Sequence, residues 1–232
     1  MKQRSIEIAT FVLFLLPLLL ILANPTVQGF ALGSDQPAAR SATAPIQTTF
    51  YGMGGLYDGW VLESGEFTGI GGSMNTASNM IALGDDVANR QYRGIISFDT
   101  TLLPSTANIQ SATIYLMGAD FYGISPFVWG DLYADVKSGF FGTTKYVQLA
   151  DFQAAASFAS VGILPACPAS RSHWCLIPLT GRAFPFINRY GLTQFRLRFA
   201  PDDNNNKKPD YYKIYSGELP QVRPLLVVKY YP

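Results

Sequence analysis

Residues 193–200, TQFRLRFA, alternate polar and apolar side chains with a period of two. Phe195, Leu197 and Phe199 fall on one side of an extended chain, and Gln194, Arg196 and Arg198 fall on the other. A helix would scatter these six side chains around its circumference, so the stretch is a strand with one apolar and one polar face. Residues 132–137 show the same period, with Leu132, Ala134 and Val136 on one face against Tyr133 and Asp135. Residues 91–99 carry Tyr92, Ile95, Ile96 and Phe98, which suit a pleated, half-buried surface. Residues 100–108, with Thr, Ser, Pro104 and Asn108, connect that strand to another at 109–117.

Further strands are expected at 48–51, 58–63, 79–83, 174–179, 211–215 and 225–230, separated by turn-forming clusters. The Gly-, Ser- and Asn-rich residues 68–78 are expected to be a loop, and 120–130 to cross between sheets. Residues 151–160 suit a short helix or a loop. Residues 181–190 suit one or two helical turns, with Thr180 as N-cap and Gly191 as the stop. Long helical patterns are scarce, which argues against alternating βαβ architecture. The prediction is an all-β fold: one antiparallel β-sandwich over residues 47–232, with one or two short helical turns.

Ahead of it, residues 1–33 read as an export signal. Lys2 and Arg4 precede an apolar run at 11–23 that only Pro17 interrupts, and small residues follow at 27–33. The run is shorter than the ~20 residues of a membrane span. Counting from Ile6 lengthens it but takes in Glu7, so an uncleaved signal anchor is the alternative. Residues 34–46 (SDQPAARSATAPI) have a linker's composition. Export places the domain outside the cytoplasm, secreted or at the cell surface, and leaves the N-terminal segment as its only link to a membrane. Cys167 and Cys175, with seven residues between them, would there close a disulfide loop; two buried thiols are the other possibility. With net charge +1 the chain carries no polyanion-binding balance, so nucleic acid is not an expected partner.

Residues 91–116 also resemble a known family. Phe98-Asp99, Leu103-Pro104 and Ile109-Gln110-Ser111-Ala112 match the central signature of the DNRLRE-type domain, a secreted prokaryotic β-sandwich related to some carbohydrate-binding modules. Asp58-Gly59-Trp60-Val61, Ile81-Ala82-Leu83-Gly84, residues 191–197, Tyr215-Ser216-Gly217-Glu218 and residues 223–228 resemble its other blocks, so the likeness covers most of 56–232. The segment with the two cysteines lies outside that pattern. The resemblance implies a jelly-roll-like topology and an extracellular role in carbohydrate binding.

Catalytic chemistry has few residues to work with. The lone His173 has no nucleophile motif around it, and Glu63, Glu66, Asp85 and Asp86 read as solvated turn acids. A polysaccharide-acting hydrolase is the least favoured reading, and the chain is expected not to be an enzyme. Asp202, Asp203, Asn205 and Asp210 concentrate oxygen ligands in one loop, which reads as a plain polar turn or, as the alternative, a structural Ca²⁺ site. Gln194, Arg196 and Arg198 form an outward polar stripe, which reads as a solvated sheet face or, alternatively, as a surface for acidic sugars. Adjacent Tyr211 and Tyr212 cannot both face the core, so one is available to a ligand. Trp60, Tyr122 and Trp129 are further candidates for an aromatic platform. The expected partner is a polysaccharide or surface glycan. Alternatively, the domain is a structural envelope or appendage subunit that self-associates through strand edges.

Overall fold

The computed structural model describes residues 44–169 and 173–232; the expected export signal, and all of the linker before residue 44, lie outside them. Twelve strands follow in order: β1 (Ile46–Tyr51), β2 (Gly59–Glu63), β3 (Gly71–Asn75), β4 (Met80–Asp85), β5 (Gln91–Asp99), β6 (Asn108–Tyr122), β7 (Leu132–Ser138), β8 (Phe158–Leu164), β9 (Trp174–Pro178), β10 (Leu192–Phe199), β11 (Asp210–Tyr215) and β12 (Leu225–Tyr231). All ladders are antiparallel. The fold is an all-β, jelly-roll-like sandwich built from one curled sheet in the order β1-β12-β6-β11-β4-β5-β10-β7-β8, with β2-β3 branching from β5 and β9 pairing with β6.

The fifteen-residue β6 turns the corner. Residues 108–115 pair with β12 and 113–117 with β9, whereas 118–122 pair with β11. The change of partner falls at Gly118, where an added Cβ would lie 1.9 Å from Tyr212 Oη. β4 then meets β5 at two positions only, Gly84↔Tyr92 and Asp85↔Gln91.

The period-two pattern fills the space between the layers. Phe195, Leu197 and Phe199 of β10, Ile96 and Phe98 of β5, and Leu132, Ala134 and Val136 of β7 share one core with Ala112, Ile114 and Leu116 of β6 and Leu226 and Val228 of β12. The Phe98 and Phe195 rings meet edge to face at 6.0 Å. Each buried Leu, Ile, Val or Phe side chain contributes about 1.5–3 kcal/mol, so these side chains carry most of the fold's stability. Cys167 and Cys175 form a disulfide against this core.

Four short 3-10 turns are present among the described residues, one of them Gly181–Phe186, where helical turns were expected; the side chain of Thr180 makes no capping bond there. Two strands were not anticipated. β3 lies within the Gly/Ser/Asn run expected to be a loop, and β8 begins in the segment read as a helix or loop. β6 also continues to Tyr122, into the expected crossover, and β1 takes in Ile46 from the expected linker.

Candidate functional site

The polar face of β10 is not open to solvent. Residues 139–157 run across it as a strap, and Phe141, Val147 and Phe152 of the strap close a second small core over Val61 and Ile95. Gln194 is fully buried beneath it, its Nε2 donating to Ser97 Oγ and Lys145 O (both 3.0 Å) and its Oε1 accepting from Phe141 N (2.8 Å). Arg196 is buried as well. Its Nη2 donates to Asp135 Oδ2 at 2.9 Å, and its Nη1 donates to the carbonyls of Asp151, Phe152 and Ala154 at 2.8–3.0 Å. Arg198 shares Asp135 from a more exposed position, Nε to Oδ2 at 3.2 Å. Burial alone would raise the Asp135 carboxyl, but the Ser160 N–H and the Arg198 and Arg196 charges outweigh it and hold the carboxyl below its ordinary value. The alternation assigns these side chains to the correct face; the exposure expected of that face is corrected, because Gln194 and Arg196 fasten the strap.

Aromatic rings reach the surface at a different place. Trp60 of β2 meets Tyr92 of β5 edge to face at 5.0 Å, and Tyr92 meets Tyr211 of β11 at 5.6 Å. Tyr211 in turn stacks on Tyr122 of β6 at 5.6 Å, with the planes 14° apart. The register produces this strip: Tyr92 stands opposite Gly84, Gly84 opposite Tyr211, and Tyr211 opposite Tyr122. Gly84 thus stands between the two tyrosines in the ladder. Its φ of +127° and an added Cβ only 2.3 Å from Asp210 O restrict the position to glycine. Tyr122 is 56 % exposed, and the other three rings are half-buried.

Polar groups border the strip. Lys213 Nζ lies 5.3 Å from the Tyr211 ring centre, and Lys213 is opposite the exposed Asp120 in the β11–β6 ladder. Burial, then the Asp86 charge and Tyr211, push the Tyr92 phenol up to about 12, so it stays a hydrogen-bond donor at neutral pH. Of the anticipated aromatics, Trp60, Tyr122 and Tyr211 belong to the strip. Tyr212 is buried, donating to Cys167 Sγ (3.1 Å) and Pro168 O (3.0 Å), and Trp129 packs on Phe199. Tyr92 was missed as a site residue because its strand reads as core; its ladder position beside a glycine is the signal that finds it.

The Asp/Asn loop adjoins the end of this strip. Asp202 and Asn205 are exposed, whereas Asp203 and Asp210 are buried. Asp210 Oδ2 accepts from Asn204 Nδ2 (2.7 Å) and Asn206 Nδ2 (2.6 Å), and its Oδ1 accepts from Ile124 N (2.6 Å). Asp203 Oδ1 accepts from Asn205 N (2.5 Å). Asp85, opposite Asp210, is fully buried. Burial, then the charges of Asp210, Asp203, Asp86 and Asp202, push its carboxyl up to about 7. Three acids expected to be solvated are therefore buried: Asp85, Asp86 (which Arg90 holds through Nε at 2.9 Å) and Glu63 (whose Oε1 accepts from Gly69 N at 2.6 Å).

Two shallow depressions lie elsewhere. One of about 200 Å³ is lined by Met53, Tyr57, Asp99, Thr101, Lys145, Gly191 and Leu192; the other, of about 310 Å³, by Asn79, Met80, Tyr215, Leu219, Gln221 and Val222. Neither lining holds two carboxylates. No protein-family model matches the chain, and a search of curated proteins finds no match either.

Proposed function

We propose that this is a secreted, non-catalytic β-sandwich protein that binds carbohydrate at the cell surface or in the extracellular matrix, through the strip Trp60, Tyr92, Tyr211 and Tyr122. The observation that carries the reading is this row of partly exposed rings on four different strands, bordered by Lys213 and Asp120. Ring faces offer apolar contact to the C–H faces of a sugar, and the phenols and charged neighbours offer hydrogen bonds to its hydroxyls. The apolar run after Lys2 and Arg4 supports export, and the Cys167–Cys175 disulfide supports an oxidising compartment. The likeness to DNRLRE-type domains points the same way.

A glycan array of neutral and acidic polysaccharides, probed with residues 34–232, tests this reading. Binding should weaken roughly tenfold, about 1.4 kcal/mol, for the exposed-ring variant Tyr122→Ala. Absence of any binding, or binding indifferent to Tyr122→Ala and Tyr211→Ala together, would sink the reading. The second reading, a structural subunit, is favoured by one observation: β1 ends the strand order with a single ladder partner, β12. Concentration-dependent oligomers in sedimentation velocity, without glycan binding, would move the assignment there.

A further inference from the structure

Asp85 is unusual among the buried acids. Its side chain is fully inaccessible, yet neither Oδ1 nor Oδ2 has a hydrogen-bond partner. Directly opposite residues of an antiparallel ladder project from the same face, so the Asp85 and Asp210 carboxylates rise side by side. Like charges so placed repel. Asp203, also buried, has its Oδ2 unpartnered. Two buried carboxylates with three unsatisfied oxygens, next to a third, are expensive unless something positive sits between them. The nearby cations do not fill that role. Arg90 is taken up by Asp86, and Lys207 and Lys208 are exposed on the outside of the loop.

We propose that Asp85 and Asp203, with amide and carbonyl oxygens of the 202–206 loop, bind a divalent cation of the Ca²⁺ class in front of Asp210. Among the described residues no three carboxylate, imidazole or thiolate groups form a metal centre by themselves. The donors on offer are all oxygens, which suits Ca²⁺ better than Zn²⁺, a metal usually held by Cys and His. Ca²⁺ takes six to eight oxygens and accepts Asn and backbone carbonyls alongside one or two carboxylates. The loop is rich in both kinds of oxygen and connects directly to β11, so an ion here would tie the 202–206 loop to β4. The site differs from a ligand set within the loop alone, because its deepest ligand comes from a strand more than a hundred residues earlier.

The test uses the intact protein, freed of metal with a chelator and dialysed. Calorimetric titration with CaCl₂ should give one site per chain, and saturating Ca²⁺ should raise Tm by about 5–10 °C. MgCl₂ at the same concentration should leave Tm unchanged, since Mg²⁺ demands a rigid octahedral shell. Asp85→Asn should abolish both Ca²⁺ signals, and Asp203→Asn should weaken binding at least tenfold; either variant that folds suffices. No heat of binding together with a Tm indifferent to Ca²⁺ would overturn the proposal. Undiminished Ca²⁺ binding by Asp85→Asn would do so too, and an equal response to Mg²⁺ would overturn the assignment to the Ca²⁺ class. None of these readouts depends on carbohydrate.

Discussion

Arg196→Ala removes the centre of the strap's attachment, and the cost can be worked from the contacts. The substitution deletes two bonds to Asp135 Oδ2 (2.9 and 3.2 Å) and three to the carbonyls of Asp151, Phe152 and Ala154. It also removes the guanidinium from the Phe141 ring, 4.8 Å away. Two of the acceptors keep other partners. Asp135 retains Arg198 and the Ser160 N–H, and Phe152 O retains Arg93 Nη1 at 2.6 Å. Breaking a buried ion pair costs about 3–5 kcal/mol, and the surviving partners place this one at about 3. The lost ring contact adds about 1 kcal/mol. At about 2–4 °C per kcal/mol for a domain of this size, Tm should fall by roughly 10 °C. Arg198→Ala, a more exposed side chain, should cost at most about 1 kcal/mol. Urea unfolding of both variants measures the difference. Limited trypsin digestion adds a local readout, because Lys145 lies in the strap and should be cut sooner once the strap lifts. If Arg196→Ala costs less than about 1 kcal/mol and Lys145 stays protected, the strap is held by its apolar residues and the reasoning fails.

Two further outcomes concern stability. Asp58 is buried, with one oxygen accepting from Gly217 N at 2.5 Å and the other unpartnered; burial pushes it up to about 8. The native state then holds a proton that the unfolded chain has released above pH 4, so this contribution is present at low pH and is lost as pH rises through 8. Tm should decline between about pH 5 and 8 in calorimetric scans, and Asp58→Asn should flatten the decline and raise Tm at pH 8; an unchanged slope would refute the assignment. The Cys167–Cys175 bond closes a short loop, with the two residues eight apart in sequence. Its removal by paired Ser substitutions should cost about 2.5 kcal/mol in urea unfolding, and a loss under 1 kcal/mol would show that the loop is held without it.

What the sequence discloses, and what it hides, follows from the range of the interactions. The period of β10 is a one-dimensional signal, and it correctly separates Phe195, Leu197 and Phe199 from Gln194, Arg196 and Arg198. Whether the second face meets water depends on where residues 139–157 cross, some fifty positions earlier, and no local pattern records that. β3 is hidden because GGSMN carries turn residues; its pairing with β2, not its propensity, makes it a strand. The aromatic strip was half-visible. Trp60, Tyr122 and Tyr211 are candidates by residue type, but their alignment through Tyr92 and Gly84 is a matter of register across distant strands. Asp85 reads as a turn acid because GDD resembles a turn; in the fold it ends β4, opposite Asp210 in the β4–β11 ladder, and is buried.

The corner strand β6 has a mechanical consequence. Ile46 stands opposite Tyr230, so the outer ends of β1 and β12 lie side by side. Tension applied between those two ends would unzip β1 from β12, its six rungs yielding one after another. Tyr122, the most exposed ring of the strip, sits instead at the far end of β6, whose first half is laddered to that same β12. A pull between Ile46 and Tyr122 loads the β1–β12 and β12–β6 ladders along their length, so that all their rungs resist together. A chain tethered by its N-terminal side and gripping through its aromatic strip would thus hold under a stretch that, applied at Tyr231, peels it open.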